Sequence, residues 1–138
     1  METVSVTRTF DASPESIRGL VTDVRPFIEA CGFDDVSVTG SAVHIENSVG
    51  LLTIELDLEL VDEPGAVLAY EQREGIFDTM TTRYELDAGA STTLTATTDF
   101  ALDVALVGEI LDSTVIERQR QKELAAQFGY LADAVADS

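Results

Sequence analysis

Apolar residues recur at every second position through the middle of the chain, and this repeat is the strongest constraint on the fold. Six such runs follow one another from Asp35 to Leu102, and the clearest is Leu52–Leu60. Alternation with a period of two is typical of a strand that buries one face. Turn residues such as Glu63-Pro64-Gly65 separate the runs, which favours antiparallel hairpins. Together with an earlier alternating run at 2–10, the pattern predicts a seven-stranded antiparallel sheet.

Helical patterns lie on both sides of these six runs. Ser13 and Pro14 are typical of a helix cap and first helical position, and a second short helix is expected at Phe27–Cys31. After the last strand the pattern becomes helical, and we place one long helix at about 104–135. This order predicts a single α+β domain over residues 1–138. Its sheet must curl around something, and the long helix can fill the concave side.

The charge of the chain argues against two classes of partner. There are 26 acidic and 8 basic residues, which gives a net charge of −18, while 45% of the residues are hydrophobic. The hydrophobic content is sufficient for a folded core. A surface with this much negative charge repels nucleic-acid phosphates and anionic lipid headgroups. We therefore expect no nucleic acid and no membrane as partners.

The distribution of the charge predicts a salt-rich habitat. Acidic residues alternate with apolar ones along the strands, and Lys122 is the only lysine. Such a surface is typical of proteins adapted to salt-rich cytoplasm, as in halophilic archaea, where the Debye length shrinks to about 3 Å. With no apolar run long enough to span a membrane and no signal-peptide pattern, we expect a cytoplasmic protein, most simply a monomer.

The residues that usually carry chemistry are scarce. Cys31 is the only cysteine and is predicted to be a small buried core residue. His44 is the only histidine, and alternation with Val43 and Ile45 points it to solvent. No Ser-His-Asp or Cys-His triad can be assembled without His44, and no clustered metal-ligand pattern is present. We therefore expect no catalytic residue, no metal and no cofactor.

The order of elements resembles the START-like, or SRPBCC, superfamily. The first strand runs into FDASPESI, and EGIFDTMTTRYELDAGASTTLTATTDFAL resembles the sixth and seventh strands of the branch that contains polyketide cyclases and relatives of a carbon monoxide dehydrogenase component. The resemblance implies a helix-grip fold, in which a curved sheet grips the last helix and leaves an apolar cavity. The chain lacks the tryptophan that many members carry in the first helix, and it lacks the glycine-rich loop of the pollen-allergen branch. The resemblance therefore implies a fold and no particular substrate.

Two groups of residues are candidates for the cavity wall. The first lies on the inward face of neighbouring strands and comprises Tyr70, Gln72, Met80 and Tyr84. These side chains either pack as ordinary core or line the cavity, where tyrosine hydroxyls could bond a ligand. Asp78 shares this face by strict alternation, but it lies near a strand start, and we expect a strand end or a bulge to expose it.

The second group lies on the long helix. Steps of three and four residues place a stripe along one side, formed by Ile110, Thr114, Glu117, Gln121, Leu124, Phe128, Leu131 and Val135. The part from Leu124 onward is apolar and should seal against the sheet. The middle is polar, with Arg118 beside it, and buried polar groups need partners. Either the helix is solvated there, or Thr114, Glu117, Arg118 and Gln121 form a cavity mouth that orients the polar end of a ligand.

Three functions fit this sequence. The leading hypothesis is a binding protein that holds a small hydrophobic or amphipathic ligand between the sheet and the last helix. The alternative is a polyketide cyclase- or aromatase-like enzyme, in which a shaped pocket guides condensation without a dedicated triad. The third is a structural or interaction protein whose cavity is filled by side chains.

Overall fold

The computed structural model describes residues 1–103 and 113–136, and within these it contains seven strands and three helices. Their order is β1 (Glu2–Phe10), α1 (Pro14–Thr22), α2 (Val24–Glu29), β2 (Asp35–Thr39), β3 (Ala42–Val49), β4 (Leu52–Leu60), β5 (Leu68–Glu74), β6 (Phe77–Ala88), β7 (Thr92–Leu102) and α3 (Ser113–Ala136). The predicted order of elements is confirmed. The start predicted for the last helix, at 104–112, lies outside the described residues.

The seven strands form one antiparallel sheet in the order β1-β7-β6-β5-β4-β3-β2. Strands β2 to β7 pair with their neighbours along the chain, while β1 pairs with β7. The two short helices therefore carry the chain from one edge of the sheet to the other. The sheet curves around α3, which confirms the α+β helix-grip fold. Among the described helices, none is long and apolar enough to cross a membrane.

Local sequence signals fix the two short helices. The Ser13 hydroxyl accepts a hydrogen bond of 3.1 Å from the backbone N–H of Ser16, and Pro14 occupies the first turn of α1. After α2 the backbone N–H of Gly32 donates to the carbonyl of Glu29 at 3.0 Å. Gly32 has φ of +93°, which favours glycine, and this lets the chain turn away from the helix into β2.

Aromatic residues from each layer meet in the core. Phe27 of α2 contacts Tyr84 of β6 edge-on, with 5.0 Å between ring centroids. Phe10 of β1 and Phe128 of α3 make a similar contact at 6.0 Å. The last helix is sealed here as predicted, because Leu124, Phe128 and Leu131 are all buried.

The start of β6 contains the irregularity that the sequence suggested. The pairing between β6 and β7 shifts register between Phe77 and Thr79. Asp78 lies at this shift and is exposed. A bulge therefore removes the Asp78 carboxylate from the inward face, as expected for a charged residue with no buried partner.

The outer face of the sheet has two different halves. Between β1 and β7, hydroxyl groups face each other across the strands at 3.1 Å in the pairs Thr7–Thr95 and Thr9–Thr93. On the other half, Asp35 of β2, Glu46 of β3 and Glu55 of β4 lie side by side in register. Hydrogen bonding to Glu55 raises the pKa of Glu46. The hydroxyl pairs of the first half are thus uncharged, whereas the other half concentrates negative charge.

Candidate functional site

A cavity of about 50 Å³ lies between the concave face of the sheet and α3. Most of its lining is apolar and comes mainly from β3, β4, β6 and β7, including Ile45, Ile54, Leu58, Met80 and Phe100. A polar group lies among these residues and comprises Asn47, Tyr70, Thr98, Gln119, Arg120 and Glu123. The cavity is therefore amphipathic, with its charged residues on the helix.

The guanidinium of Arg120 is the centre of the polar group. This residue is only 8% exposed. Its Nε donates to the Thr98 hydroxyl at 2.9 Å, and Nη1 donates to Glu123 at 3.2 Å and points to the Cys31 sulfur at 3.9 Å. Nη2 donates to the hydroxyls of Tyr70 and Thr82. All five N–H donors of the guanidinium thus have an acceptor within the protein.

Strand register places the hydroxyl acceptors under the guanidinium. Tyr70 of β5 is paired with Thr82 of β6, which is paired in turn with Thr98 of β7. The hydroxyls of Thr82 and Thr98 are 2.8 Å apart. Three adjacent strands therefore present one row of hydroxyl groups on an otherwise apolar face. This row accommodates a planar donor group with several N–H bonds, as Arg120 has.

Glu123 connects the helix to the opposite side of the cavity. One carboxylate oxygen accepts from Arg120, and the other accepts from Gln119 at 3.0 Å and from Asn47 at 3.4 Å. Asn47 is on β3, so the polar group extends from β3 to β7 through α3. Arg120 and Glu123 form an ion pair with no net charge, which is how a mostly apolar interior can hold both.

Burial determines the protonation states in this group. It raises the pKa of Glu123, although the positive charge of Arg120 opposes this, and it raises the pKa of the Tyr70 hydroxyl. Burial acts to lower the pKa of Arg120, but the surrounding phenol, thiol and carboxylate groups raise it, and the net result is well above the ordinary value. The Cys31 thiol has a pKa raised to about 12 by burial. Cys31 is thus the buried core residue that was predicted, and it is not a reactive thiolate near neutral pH.

The strand candidates divide into two pairs. Tyr70 and Met80 line the cavity. Tyr84 is buried outside the lining, where its hydroxyl donates to the side-chain oxygen of Gln127 at 2.6 Å. Gln127 also donates to the carbonyl of Phe27 at 2.9 Å. Tyr84 therefore joins the sheet to α3 and α2 and does not face the cavity.

The side chain of Gln72, which is also outside the cavity lining, stabilises the hairpin between β5 and β6. Its side-chain amide donates to the carbonyl of Phe77 at 2.9 Å and accepts from the N–H of the same residue at 3.1 Å. Gly75 makes room for this contact, since a Cβ there would collide with Gln72 and with Leu56. The amide thus replaces a strand pairing at the hairpin end and holds Phe77 at the cavity wall.

The helix candidates lie away from the cavity. Thr114, Arg118 and Gln121 are exposed, and Glu117 is half-buried beside Glu2 of β1, whose hydrogen bond raises the pKa of Glu117. Of the two alternatives for the polar half of the stripe, the exposure of these three side chains agrees with the solvated one. The buried positions on this part of α3 are Ile116, Arg120 and Glu123. Whether any of the four helix candidates contacts a ligand remains a prediction. Ile110, at the start of that stripe, lies outside the described residues.

Buried polar residues between the sheet and α3 were missed, and four of them, Asn47, Thr98, Arg120 and Glu123, line the cavity. On α3 they follow the buried Ile116 in steps of three and four residues, as Arg120, Glu123 and Gln127. On the strands, Asn47, Thr82 and Thr98 interrupt apolar inward positions. A polar residue at an inward position of a strand pattern, repeated on three strands, was the available signal.

The outer face of β3 and β4 holds a second cluster of titratable groups. His44 Nδ1 is 2.6 Å from a carboxylate oxygen of Asp57, and this hydrogen bond raises the pKa of His44. Its Nε2 is 3.9 Å from Glu46 and 4.0 Å from Glu55. These ligand atoms are close enough for a metal ion, but exposed carboxylates commonly cluster without one, so the geometry alone assigns no metal.

Comparison with solved structures identifies the class of fold. A START superfamily protein from Mycobacterium smegmatis superposes with a TM-score of 0.74 at 14% identity, covering 96% of this chain and 98% of that one. The Zhui aromatase/cyclase from Streptomyces sp. R1128 gives 0.72 at 21% identity, covering 97% and 95%. No protein-family model matches the chain, and no curated protein matches it in sequence. The chain therefore has the START-like fold, which at these identities is a statement about architecture alone.

Proposed function

We propose that the protein binds a small hydrophobic or amphipathic molecule in the cavity between the sheet and α3. The observation that carries this proposal is the buried Arg120–Glu123 pair at the edge of a mostly apolar cavity. Apolar residues of similar size often stabilise a protein as well as a buried ion pair does, or better. Recognition of a polar group on a ligand therefore accounts for the pair better than folding does. In this proposal Tyr70 and Met80 hold the apolar body of the ligand.

The size of the cavity sets a condition on binding. A volume of about 50 Å³ holds a few water molecules, whereas ligand pockets usually measure roughly 300–1,000 Å³. A ligand with ten or more heavy atoms thus requires side chains to move. The half-exposed Leu56, Ile76 and Phe77 line one part of the cavity, and Met80 beside them is flexible. If the protein binds a ligand, these side chains must move apart to enlarge the cavity. If the cavity is simply a filled core, no such movement is needed.

Native mass spectrometry of gently purified protein tests the proposal. A uniform adduct supports binding, and its chemical identity gives the ligand. Ile54→Phe fills the cavity and should abolish the adduct, whereas Leu52→Phe, two residues earlier on the same strand and outside the lining, should retain it. Repeated absence of an adduct in the wild type, together with no binding of any added amphipathic compound, would support the filled-core alternative.

A second candidate function is that of a polyketide cyclase or aromatase. It is favoured by the similarity in fold to the Zhui aromatase/cyclase and by the contact of Arg120 with the Tyr70 hydroxyl. Because the Tyr70 oxygen accepts from the positively charged Arg120, its own O–H can donate to a carbonyl oxygen and polarise it. The test is incubation with a synthetic poly-β-ketone and detection of an aromatic product by absorbance. Tyr70→Phe should slow product formation without preventing substrate binding. An equal rate with and without the protein would exclude this candidate for that substrate class.

We also propose that the acidic surface adapts the protein to salt-rich cytoplasm. The support is the aligned row of Asp35, Glu46 and Glu55, since like charges directly opposite each other in a sheet are destabilising unless screened. The free energy of unfolding, measured against salt concentration, tests this proposal.

A further inference from the structure

We infer that the ligand is uncharged and that its polar group is a hydroxyl that donates to the carboxylate of Glu123. This inference rests on the proposed binding function and specifies the chemistry that the cavity selects. It follows from how the hydrogen-bonding capacity of Arg120, Glu123 and the two neighbouring amides is already used.

Arg120 has no free donor for an anionic ligand. Each N–H of Arg120 already has an acceptor on Thr98, Cys31, Glu123, Tyr70 or Thr82. A ligand carboxylate or phosphate could bond to Arg120 only by displacing one of these acceptors. It would also lie beside the negative charge of Glu123 in an interior of low polarity, where like charges repel strongly. The arrangement therefore selects against an anionic ligand despite the buried arginine.

A cationic ligand would compete with Arg120 for Glu123. An ammonium group could pair with Glu123, but the Arg120 guanidinium is 3.2 Å from the same carboxylate. The ligand would have to share the counter-ion, and a net positive charge would then remain buried. A cationic ligand is therefore also disfavoured.

A neutral hydroxyl can use the hydrogen-bonding positions that remain. A carboxylate has about four acceptor positions, and the contacts from Arg120, Gln119 and Asn47 use three of them. A ligand hydroxyl can donate to the fourth. The amides of Asn47 and Gln119 each have two N–H groups and use one on Glu123, so the second can donate to the hydroxyl oxygen. A hydroxyl, which both donates and accepts, thus fits without breaking the ion pair.

Three probes that share a six-carbon alkyl group and differ in the polar end test the inference: n-hexanol, hexanoate and hexylammonium. Binding is measured at neutral pH in molar potassium chloride by titration of amide NMR spectra. We expect n-hexanol to bind at least about tenfold more tightly than either charged probe, the effect of one hydrogen bond to a charged group. Glu123→Gln removes the negative charge and should reverse the order, so that hexanoate binds more tightly than n-hexanol. Asp133→Asn, which removes an exposed carboxylate on the same helix outside the cavity lining, is the matched control and should keep the wild-type order.

Should Glu123→Gln fail to fold, the double variant Arg120→Leu/Glu123→Leu provides the same test, since both charges are removed together. It should bind n-hexanol without the hydrogen bond and lose about tenfold in affinity. Wild-type protein that binds hexanoate as tightly as n-hexanol would overturn the inference and leave the proposed binding function intact. Failure of all three probes would overturn the inference, and the native mass spectrum would then decide the proposed function separately.

Discussion

The buried pair of Arg120 and Glu123 makes a strong prediction about stability. The two residues are 8% and 6% exposed, so neither charge is well solvated. Arg120→Leu leaves the carboxylate with only the amides of Asn47 and Gln119, and Glu123→Leu leaves the guanidinium without a counter-ion. Loss of one member of a buried pair costs roughly 3–5 kcal/mol. Each single variant should therefore lower the free energy of unfolding by about that amount.

The double variant should behave differently, because no charge remains buried. The hydroxyls of Thr82 and Thr98 still bond to each other at 2.8 Å. The Tyr70 hydroxyl loses Arg120 and the buried Asn47 amide loses Glu123, at a cost of about 1 kcal/mol each, while the half-buried Gln119 amide can bond to water. Replacing a buried pair by apolar residues is otherwise often neutral or favourable. We expect the double variant within about 2 kcal/mol of the wild type, against roughly 6–10 kcal/mol if the single costs added. The coupling energy is then about 4 kcal/mol or more.

Urea unfolding in molar salt, followed by circular dichroism, measures all four proteins, and equal m-values would show that the same surface unfolds in each. The exposed pair of Arg73 and Glu59, with 2.5 Å between its charged atoms, is the matched control. The double-mutant cycle of Arg73 and Glu59 should give a far smaller coupling energy, because water and salt screen an exposed pair. A double variant of Arg120 and Glu123 as unstable as the sum of the singles would refute the reasoning.

Three further predictions concern the surface and the hairpins. The free energy of unfolding should rise from dilute buffer to molar potassium chloride, because 26 carboxylates repel one another when the Debye length is about 10 Å; full stability in dilute buffer would contradict salt adaptation. NMR titration of His44 should give a pKa above its ordinary value, and Asp57→Asn should lower it, since the hydrogen bond to Asp57 is the main cause. Because folding raises the pKa of His44, its hydrogen bond to Asp57 stabilises the folded protein. This stabilisation is fully present below about pH 6.5 and is lost as the pH rises through the folded-state pKa. Gly75→Ala should lower the melting temperature, at a cost of about 1–3 kcal/mol, because its Cβ collides with Gln72 and breaks the contact with Phe77. The control Gly129→Ala, with open space around it and no positive φ, should not lower the melting temperature, and an unchanged Gly75→Ala melt would argue against the contact.

The strands could be predicted from sequence because one physical cause dominates them. A strand that buries one face shows a period of two. Alternation alone would turn Asp78 inward, and its position near the start of a strand correctly predicted the bulge that exposes it. The period gives the face of a residue but not its place along the sheet. Tyr70 and Tyr84 therefore looked equivalent, although one lines the cavity and the other bonds to Gln127.

The helix could not be oriented by the same reasoning. Its buried face contains Arg120, Glu123 and Gln127, which a hydrophobicity pattern assigns to solvent. These residues are buried because they neutralise or bond one another and meet hydroxyl groups on three strands, and those contacts exist only in the folded chain. The spacing of Arg120 and Glu123, three residues apart on one helix face, is compatible with an ion pair but does not reveal its burial.

The two halves of the outer sheet face should respond differently to dilution of salt. The hydroxyl pairs between β1 and β7 carry no charge, so ionic strength has little effect on that side. Repulsion along Asp35, Glu46 and Glu55 acts on β2, β3 and β4, and amide hydrogen exchange should accelerate first in those strands. Strand β3 also carries Ile45 and Asn47 on its opposite face, in the cavity wall. The ionic strength of the surroundings would thus tune the rigidity of one wall of the cavity while leaving the other wall unchanged.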